Sequence, residues 1–144
     1  MKRIGVAGLI MSGGKHCEHI LLGRRGKDPN RGLYVLPGGG VKDGESLEQA
    51  FQREILEETG LQIEPTKGYS RWENPHVIEL LDRLILVAKA EVLLKKGSDD
   101  DSPRDGSDLY DVEWFDVEGL PPDISPVVMP IIKLRGFRQR RVYQ

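Results

Sequence analysis

The sequence lacks several features that whole classes of protein require. Cys17 is the single cysteine, so no disulfide can form within the chain, which is typical of proteins of the reducing cytoplasm. No apolar run approaches the roughly 20 residues of a membrane-spanning helix. The first segment, MKRIGVAGLIMSGG, is too short and too rich in glycine for a signal peptide. We therefore predict a cytoplasmic protein without a membrane partner.

The chain also lacks a basic excess. Its formal net charge of −2 argues against nucleic acid as a partner, because general nucleic-acid binding usually requires a surplus of lysine and arginine. Charged residues make up 31% and hydrophobic residues 38% of the chain, a balance typical of globular proteins. The length predicts a single domain over residues 1–144.

Apolar patterns and turn residues predict an α/β chain with a mixed β-sheet and two main helices. Strands are predicted over Arg3–Met11, His19–Arg24, Leu33–Leu36, Asp82–Ala88 and Val112–Val117. Residues 69–73 are predicted to pair with the apolar segment 76–94. The last helix is predicted from Ser125-Pro126 to about Arg135. The polar segment 97–106 is predicted to be a mobile loop, and His16–His19 a solvated loop rather than a metal site.

A predicted glycine-rich loop followed by a short helix carries the chemistry of this sequence. Gly38–Gly40 come after a predicted strand, and consecutive glycines let a ligand approach the main chain closely. Ser46 and Gln49 form a capping-box pattern, and Gly60 is typical of the residue that ends a helix. These signals predict a helix over Leu47–Thr59.

Three glutamates share one face of this predicted helix. At about 100° per residue, Glu54, Glu57 and Glu58 fall on the same arc as the apolar Ala50 and Phe51. Uncompensated carboxylates on a buried face would cost several kcal/mol each, so a cation is expected opposite them. Because Mg²⁺ and Mn²⁺ prefer oxygen ligands and substrate phosphates, the pattern predicts metal-assisted hydrolysis at phosphorus.

Basic residues cluster ahead of the glycines. Arg24, Arg25, Lys27 and Arg31 surround the turn Asp28-Pro29-Asn30. The cluster is either an exposed basic loop or a site for a polyphosphate that the metal also binds.

The segment Gly39–Leu61 also resembles the Nudix box. Every fixed position of the family pattern is matched, by Gly39, Glu45, Arg53-Glu54-Ile55, Glu57-Glu58, Gly60 and Leu61. The order of elements around the box is similar to that of the family's α/β/α sandwich. The resemblance implies Mg²⁺-dependent hydrolysis of a nucleoside diphosphate linked to another group X, with Mn²⁺ as an alternative metal.

The resemblance also implies roles for residues of the box. Glu54, Glu57 and Glu58 would hold the metal with the carbonyl of Gly39, and one of these glutamates would be the general base. Arg53 would pair with a neighbouring carboxylate and fix its direction.

Two further carboxylate positions are implied by the same resemblance. Glu45 would join the network of Arg53. A metal ligand from a distant loop would be Asp108, with Asp105 and Asp111 as weaker alternatives.

The substrate stays open between several nucleotides. The segment GRR…RGLYVLPGGG resembles the MutT-like branch, which implies a (deoxy)nucleoside triphosphate as the first candidate. Pro75 lies near the position of a proline in some ADP-ribose-cleaving relatives, so ADP-ribose and nucleotide-sugars are alternatives. A Nudix-like domain that senses nucleotides without hydrolysis is an alternative of another class.

The partner predicted is thus a small-molecule nucleotide, and the family resemblance leaves a homodimer open. The predicted substrate-binding residues are Arg24, Arg25, Arg31, Tyr34 and Gly38. Tyr34, Tyr69 and Trp72 are each suited either to stack on a base or to pack against the sheet.

Overall fold

The computed structural model of the protein describes residues 2–16, 18–66 and 70–135. Seven strands and two helices are present in this part of the chain. Neither of these helices is long and apolar enough to cross a membrane. The elements are β1 Arg3–Met11, β2 His19–Arg25, β3 Tyr34–Val35, β4 Gly38–Gly40, α1 Leu47–Thr59, β5 His76–Glu79, β6 Arg83–Glu91, β7 Leu109–Asp116 and α2 Val128–Arg135.

Strand β1 is the centre of the sheet. One of its edges pairs in parallel with β6 along its whole length, from Arg3 beside Arg83 to Met11 beside Glu91. Its other edge is divided, because β4 pairs antiparallel with Gly5–Ala7 while β2 meets β1 at Met11. Strands β3 and β7 extend the sheet from β2, and β5 extends it from β6. The predicted mixed sheet is confirmed.

The sheet lies between the two helices, with a hydrophobic core on each face. Side chains alternate along β1, so Val6 and Ile10 join the cluster that contains Phe51 of α1. Leu9 joins the cluster that contains Ile131 of α2. This alternation builds the α/β/α sandwich that the sequence predicts.

Helix α1 has the bounds and the caps predicted from the sequence. The Ser46 hydroxyl accepts a hydrogen bond from the Gln49 N–H at 3.1 Å, and the Gln49 side chain accepts one from the Ser46 N–H at 2.9 Å. Gly60 ends the helix with a φ of 75°, in the left-handed region that favours glycine. These caps fix the positions of the glutamates that α1 carries.

Two predictions about the strands are wrong. Gly38–Gly40 form strand β4 rather than an open loop, because their backbone pairs with Gly5–Ala7. This approach requires glycine, since a Cβ at Gly38 would overlap the carbonyl oxygen of Val6. The segment 76–94 contains two strands, β5 and β6, which pair with each other rather than with residues 70–73. Tyr69, the first residue of the predicted partner, lies outside the described residues.

Residues 97–106 form a loop without helix or strand, as predicted, and a buried carboxylate anchors this loop. Asp101 is fully buried. Its carboxylate accepts hydrogen bonds from the Ser12 hydroxyl and, at 2.9 Å, from the His16 N–H, and it lies 2.8 Å from His16 Nδ1. The Trp114 indole donates to the Asp101 carbonyl at 2.7 Å. His16 therefore serves this network.

We predict that Asp101→Asn lowers the free energy of unfolding relative to wild type, and that this loss is larger at neutral pH than in acid. Burial alone would raise the pKa of Asp101, but the hydrogen bonds from Ser12 and His16 outweigh it, so the pKa is lowered. A carboxylate with a lowered pKa stabilises the fold above its ordinary pKa, and that stability is lost as the pH falls through the folded-state value. The expected loss is about 2–4 kcal/mol at pH 7, and it should shrink below about pH 4.

Urea unfolding over a series of pH values measures this difference. Asp99→Asn is the matched control, because Asp99 is exposed in the same segment. A loss for Asp101→Asn that does not change with pH would contradict the role given to the carboxylate.

Candidate active site

Helix α1 and strand β4 bring Glu54 and Gly39 together. Because the backbone of β4 is paired to β1, the strand is held close beneath the helix. A Cβ at Gly39 would overlap the carboxylate of Glu54, whereas a Cβ at Gly40 would meet nothing within 4 Å. Any side chain at position 39 would thus displace the carboxylate of Glu54, a glutamate of the box.

Arg53 makes the central hydrogen bonds of this site. Its guanidinium donates to both carboxylate oxygens of Glu45, with Nε–Oε2 at 2.6 Å and Nη2–Oε1 at 2.9 Å. Nη2 also donates to the Gly40 carbonyl at 2.9 Å. Nη1 donates to Glu54 at 2.7 Å and to Glu57 at 3.2 Å. Arg53 therefore ties two glutamates of α1 to the preceding loop and to β4.

The charges in this network shift two carboxylate pKa values in opposite directions. The hydrogen bond from Arg53 is the largest of the causes that lower the pKa of Glu45 to about 2. Burial raises the pKa of Glu54, and the charges of Glu57 and Glu58 raise it further, while Arg53 opposes them. Four carboxylates and one arginine leave this cluster with an excess of negative charge.

The three glutamates of α1 differ in exposure. The side chain of Glu54 is 12% exposed and that of Glu57 is 46% exposed, whereas residue Glu58 is 4% exposed. The prediction that all three lie on the buried face is wrong for Glu57. Its neighbour Leu56 is 41% exposed as well, so this side of the last turn faces solvent.

Glu58 contacts the segment that leads into β7. Its carboxylate accepts hydrogen bonds from the Ser107 hydroxyl at 2.8 Å and from the Asp108 N–H at 3.1 Å. Gly106 packs directly on the helix, since a Cβ there would overlap the backbone of Glu58. The structure thus brings Asp108 to the box through its main chain, while its carboxylate lies 3.1 Å from the Lys27 ammonium.

The two alternative aspartates contact other groups. Asp105 accepts a hydrogen bond from the Val112 N–H at 3.2 Å. The Asp111 carboxylate lies 3.4 Å from Nε of Arg24. Both carboxylates therefore serve the packing of β7.

Three of the predicted substrate contacts lie away from the box. Arg24 donates a hydrogen bond to Asp123, and its guanidinium carbon lies 4.2 Å from the centroid of the Tyr34 ring. The Arg31 side chain is 63% exposed, and its Nε lies 3.6 Å from the Asp28 carboxylate. The Arg31 ion pair lies within its own loop, whereas Arg24 joins β2 to Asp123 and to the Tyr34 ring of β3.

Of the two other aromatic candidates, Tyr69 lies outside the described residues and Trp72 packs on α1. The Trp72 ring meets Phe51 edge-on, with ring centroids 5.1 Å apart. Its indole donates a hydrogen bond to Glu48 at 3.0 Å. The structure therefore gives Trp72 a packing contact.

A cavity of about 1070 Å³ opens beside Glu54 and β4. Two predicted substrate contacts, Arg25 and Gly38, line it together with Gly39. The rest of the lining includes apolar side chains from β5, β6 and α2, namely Ile78, Ile85, Val128 and Ile131. The cavity therefore joins a charged end to an apolar wall.

Arg83 and Ser125 also line the cavity, and the sequence analysis missed both. Arg25 Nε, Arg83 Nε and Ser125 Oγ are buried and have no hydrogen-bond partner among the residues that the structure describes. Arg83 is the first residue of β6, and an arginine at the start of a strand gives no signal of a functional site in a sequence. Its place in the cavity depends on the parallel pairing of β6 with β1, a contact between distant parts of the chain.

Comparison with known proteins identifies the family. A family model described as the NUDIX domain matches residues 1–133, which include the whole box. The protein belongs to the NUDIX family.

Two curated relatives of this NUDIX protein carry different names. The NAD-capped RNA hydrolase NudC of Haemophilus influenzae (strain PittGG) is 31% identical over 105 residues, which are 72% of this chain and 36% of the relative. The ADP-ribose pyrophosphatase of Methanocaldococcus jannaschii is 32% identical over 124 residues, which are 82% of this chain and 64% of the relative. The chain thus spans about a third of the NudC relative and under two thirds of the other.

The fold of this NUDIX chain is similar to that of solved structures. The crystal structure of a MutT NUDIX hydrolase from Burkholderia pseudomallei matches with a TM-score of 0.68 at 24% identity. The match covers 92% of this chain and 97% of that one. The likeness confirms the family's sandwich fold.

The donors of the NUDIX box suit a divalent cation. Carboxylates of Glu54, Glu57 and Glu58 and the carbonyl of Gly39 are the oxygen ligands that hard cations prefer, and their excess negative charge favours a dication. As they stand, no three acidic, histidine or cysteine side chains within residues 2–16, 18–66 and 70–135 converge to hold a metal. Metal binding therefore requires these carboxylates to move closer together, and the half-exposed Glu57 has room to do so.

We predict that Arg53→Lys destabilises the protein by about 2 kcal/mol. A lysine ammonium cannot donate to Glu45, Gly40, Glu54 and Glu57 at once, because it lacks the planar fork of the guanidinium. Urea unfolding measures the loss. Arg31→Lys is the control, since Arg31 is mostly exposed with one ion pair. Equal losses for the two variants would contradict the central place of Arg53.

Proposed function

We propose that this protein is a metal-dependent hydrolase that cleaves the diphosphate linkage of a nucleoside diphosphate joined to a group X. The observation that carries the proposal is the contact of Gly39 with Glu54 in a cluster with excess negative charge. Glu54 and Gly39 line a cavity whose size of about 1070 Å³ suits a nucleotide. Family membership and the complete box support the same reaction.

The metal ligands we propose are Glu54, Glu57, Glu58 and the Gly39 carbonyl. A bound Mg²⁺, or Mn²⁺ in its place, would polarise a phosphoryl oxygen and lower the pKa of bound water. One of the three glutamates accepts the proton of the attacking water. Arg53 is a positioning residue, because its hydrogen bonds hold Glu54 and Glu57 in place.

Asp108 is a further proposed metal ligand. Its main chain already donates to Glu58 at 3.1 Å, so the residue is close to the box. Its carboxylate must leave Lys27 to reach a metal.

Two substrate classes are proposed for this site. The segment ahead of the box favours a (deoxy)nucleoside triphosphate as the first. The second is ADP-ribose or another nucleotide with an esterified diphosphate, which is supported by a relative named ADP-ribose pyrophosphatase and by Pro75. Another relative is named for NAD-capped RNA, so a nucleotide at the end of an RNA belongs to the second class. A nucleotide sensor without turnover is the alternative of another kind.

A turnover screen tests the proposed reaction. Phosphate and nucleotide release are measured for nucleoside triphosphates, ADP-ribose, nucleotide-sugars and dinucleoside polyphosphates, with Mg²⁺, with Mn²⁺ and with neither. We expect release only with metal, and we expect Glu57→Gln to lower it by about 100-fold or more because a metal ligand is lost. Glu73→Gln, which removes an exposed carboxylate elsewhere, is the control. Nucleotide binding without release in either metal would support the sensor instead.

A pair of glycine variants tests the contact of β4 with the box. Gly39→Ala places a Cβ where the Glu54 carboxylate lies, so Glu54 must move and turnover should fall by about 100-fold. The thermal unfolding midpoint should change little, because the displaced group is the end of a flexible side chain. Gly40→Ala meets no atom within 4 Å and should keep wild-type turnover. Equal activity of the two variants would refute the contact's role in catalysis.

A further inference from the structure

Two arginines with unpaired nitrogens line the cavity beyond the box. Arg25 stands at the end of β2 and Arg83 at the start of β6, and both line the cavity that Glu54 also lines. The Nε atom of each is buried without a hydrogen-bond partner among the described residues. Arg83 Nε forms an ion pair with the Asp82 carboxylate. The nitrogen and the oxygen are 3.6 Å apart, which is beyond hydrogen-bond distance. The lining of the cavity thus includes two arginines whose Nε donors are left without a partner among the described residues.

The two guanidiniums also repel each other. Burial lowers the pKa of Arg25, the positive charge of Arg83 lowers it further, and Asp108 opposes both. Buried donors without partners and like charges in proximity both cost stability in the free protein. An anion between these side chains would remove both costs at once.

We infer that Arg25 and Arg83 form a binding site for a terminal phosphate group of the substrate. The planar fork of arginine matches the oxygens of a phosphate, and two guanidiniums provide two positive charges. A terminal phosphate carries close to two negative charges at pH 7, because its second pKa is about 6. Each phosphate inside a diphosphate that is esterified at both ends carries one. The pair therefore favours the terminal phosphate.

This inference rests on the proposed function and selects between its two substrate classes. A nucleoside triphosphate has a terminal phosphate for the arginine pair, and Glu54 of the box lines the same cavity as the two arginines. In ADP-ribose the corresponding phosphate is esterified by the ribose. The structure therefore assigns this protein to substrates that end in a phosphate.

Equilibrium binding of ADP and of ADP-ribose tests the pair, because the two ligands differ in whether the outer phosphate is free. Isothermal titration calorimetry in the presence of EDTA separates this binding from any metal site. Wild type should bind ADP more tightly than ADP-ribose. Arg25→Gln or Arg83→Gln should weaken ADP binding by about 10- to 100-fold and ADP-ribose binding much less, which removes the preference.

Three further measurements test whether weaker ADP binding comes from unfolding or from a general loss of positive charge. Without ligand, the glutamine variants should unfold at the wild-type temperature or above it, because one of two like charges is removed. Arg25→Lys and Arg83→Lys keep the charge but lose Nε and the fork, so they should show an intermediate loss. Lys96→Gln removes a positive charge from an exposed residue outside the lining and should keep the full preference.

The outcomes separate this inference from the proposed reaction. Glutamine variants that bind ADP as wild type does, or that lose ADP and ADP-ribose equally, would overturn the phosphate site even where the protein hydrolyses nucleotides with metal. If both glutamine variants lose the preference for ADP and the wild-type protein shows no turnover with metal, the phosphate site is supported and the hydrolase is rejected. Wild type that prefers ADP-ribose would also overturn the site.

Discussion

The hydrogen bonds of Arg53 are the interaction on which the candidate site depends. Without Arg53, the glutamates of α1 would face each other and the backbone of β4 without the positive charge of this guanidinium. Arg53 holds Glu45 through two parallel hydrogen bonds, and the same guanidinium reaches Glu54, Glu57 and the carbonyl of Gly40. The planar guanidinium of Arg53 thus donates hydrogen bonds to a helix, a loop and a strand. The excess negative charge that remains is what makes the cluster suited to a metal.

The divided edge of β1 explains where the cavity lies. Strand β4 takes the first part of that edge, and β2 meets its end. The cavity is lined by Glu54 of α1, by all three residues of β4, and by Val128 and Ile131 of α2. The lining of the cavity therefore includes Glu54 from the α1 face, together with Arg83 at the start of β6.

Local signals in the sequence were enough to predict the helix of the box. Ser46, Gln49 and Gly60 define a helix by contacts within a few residues, and so the bounds of α1 follow from the sequence alone. Glu57 shows the limit of the helical wheel, because exposure depends on which neighbours cover a face. Arg83 and Asp101 were beyond sequence reasoning. Their environments are made by β6 pairing with β1 and by a loop meeting the β1–β2 turn, both of which join residues far apart in the chain.

The anchoring of the acidic segment has a consequence for protein engineering. By composition, residues 97–106 resemble a linker that would accept a fused tag or a longer loop. In the structure Asp101 is fixed to Ser12 and His16, and Ser107 is fixed to Glu58, with residues 102–106 as the whole connection between the two anchors. The length of that connection sets the register of Asp108 against the box. Insertions are therefore better tolerated before Asp101, at the exposed turn that contains Lys96 and Gly97, than in the five residues that follow it.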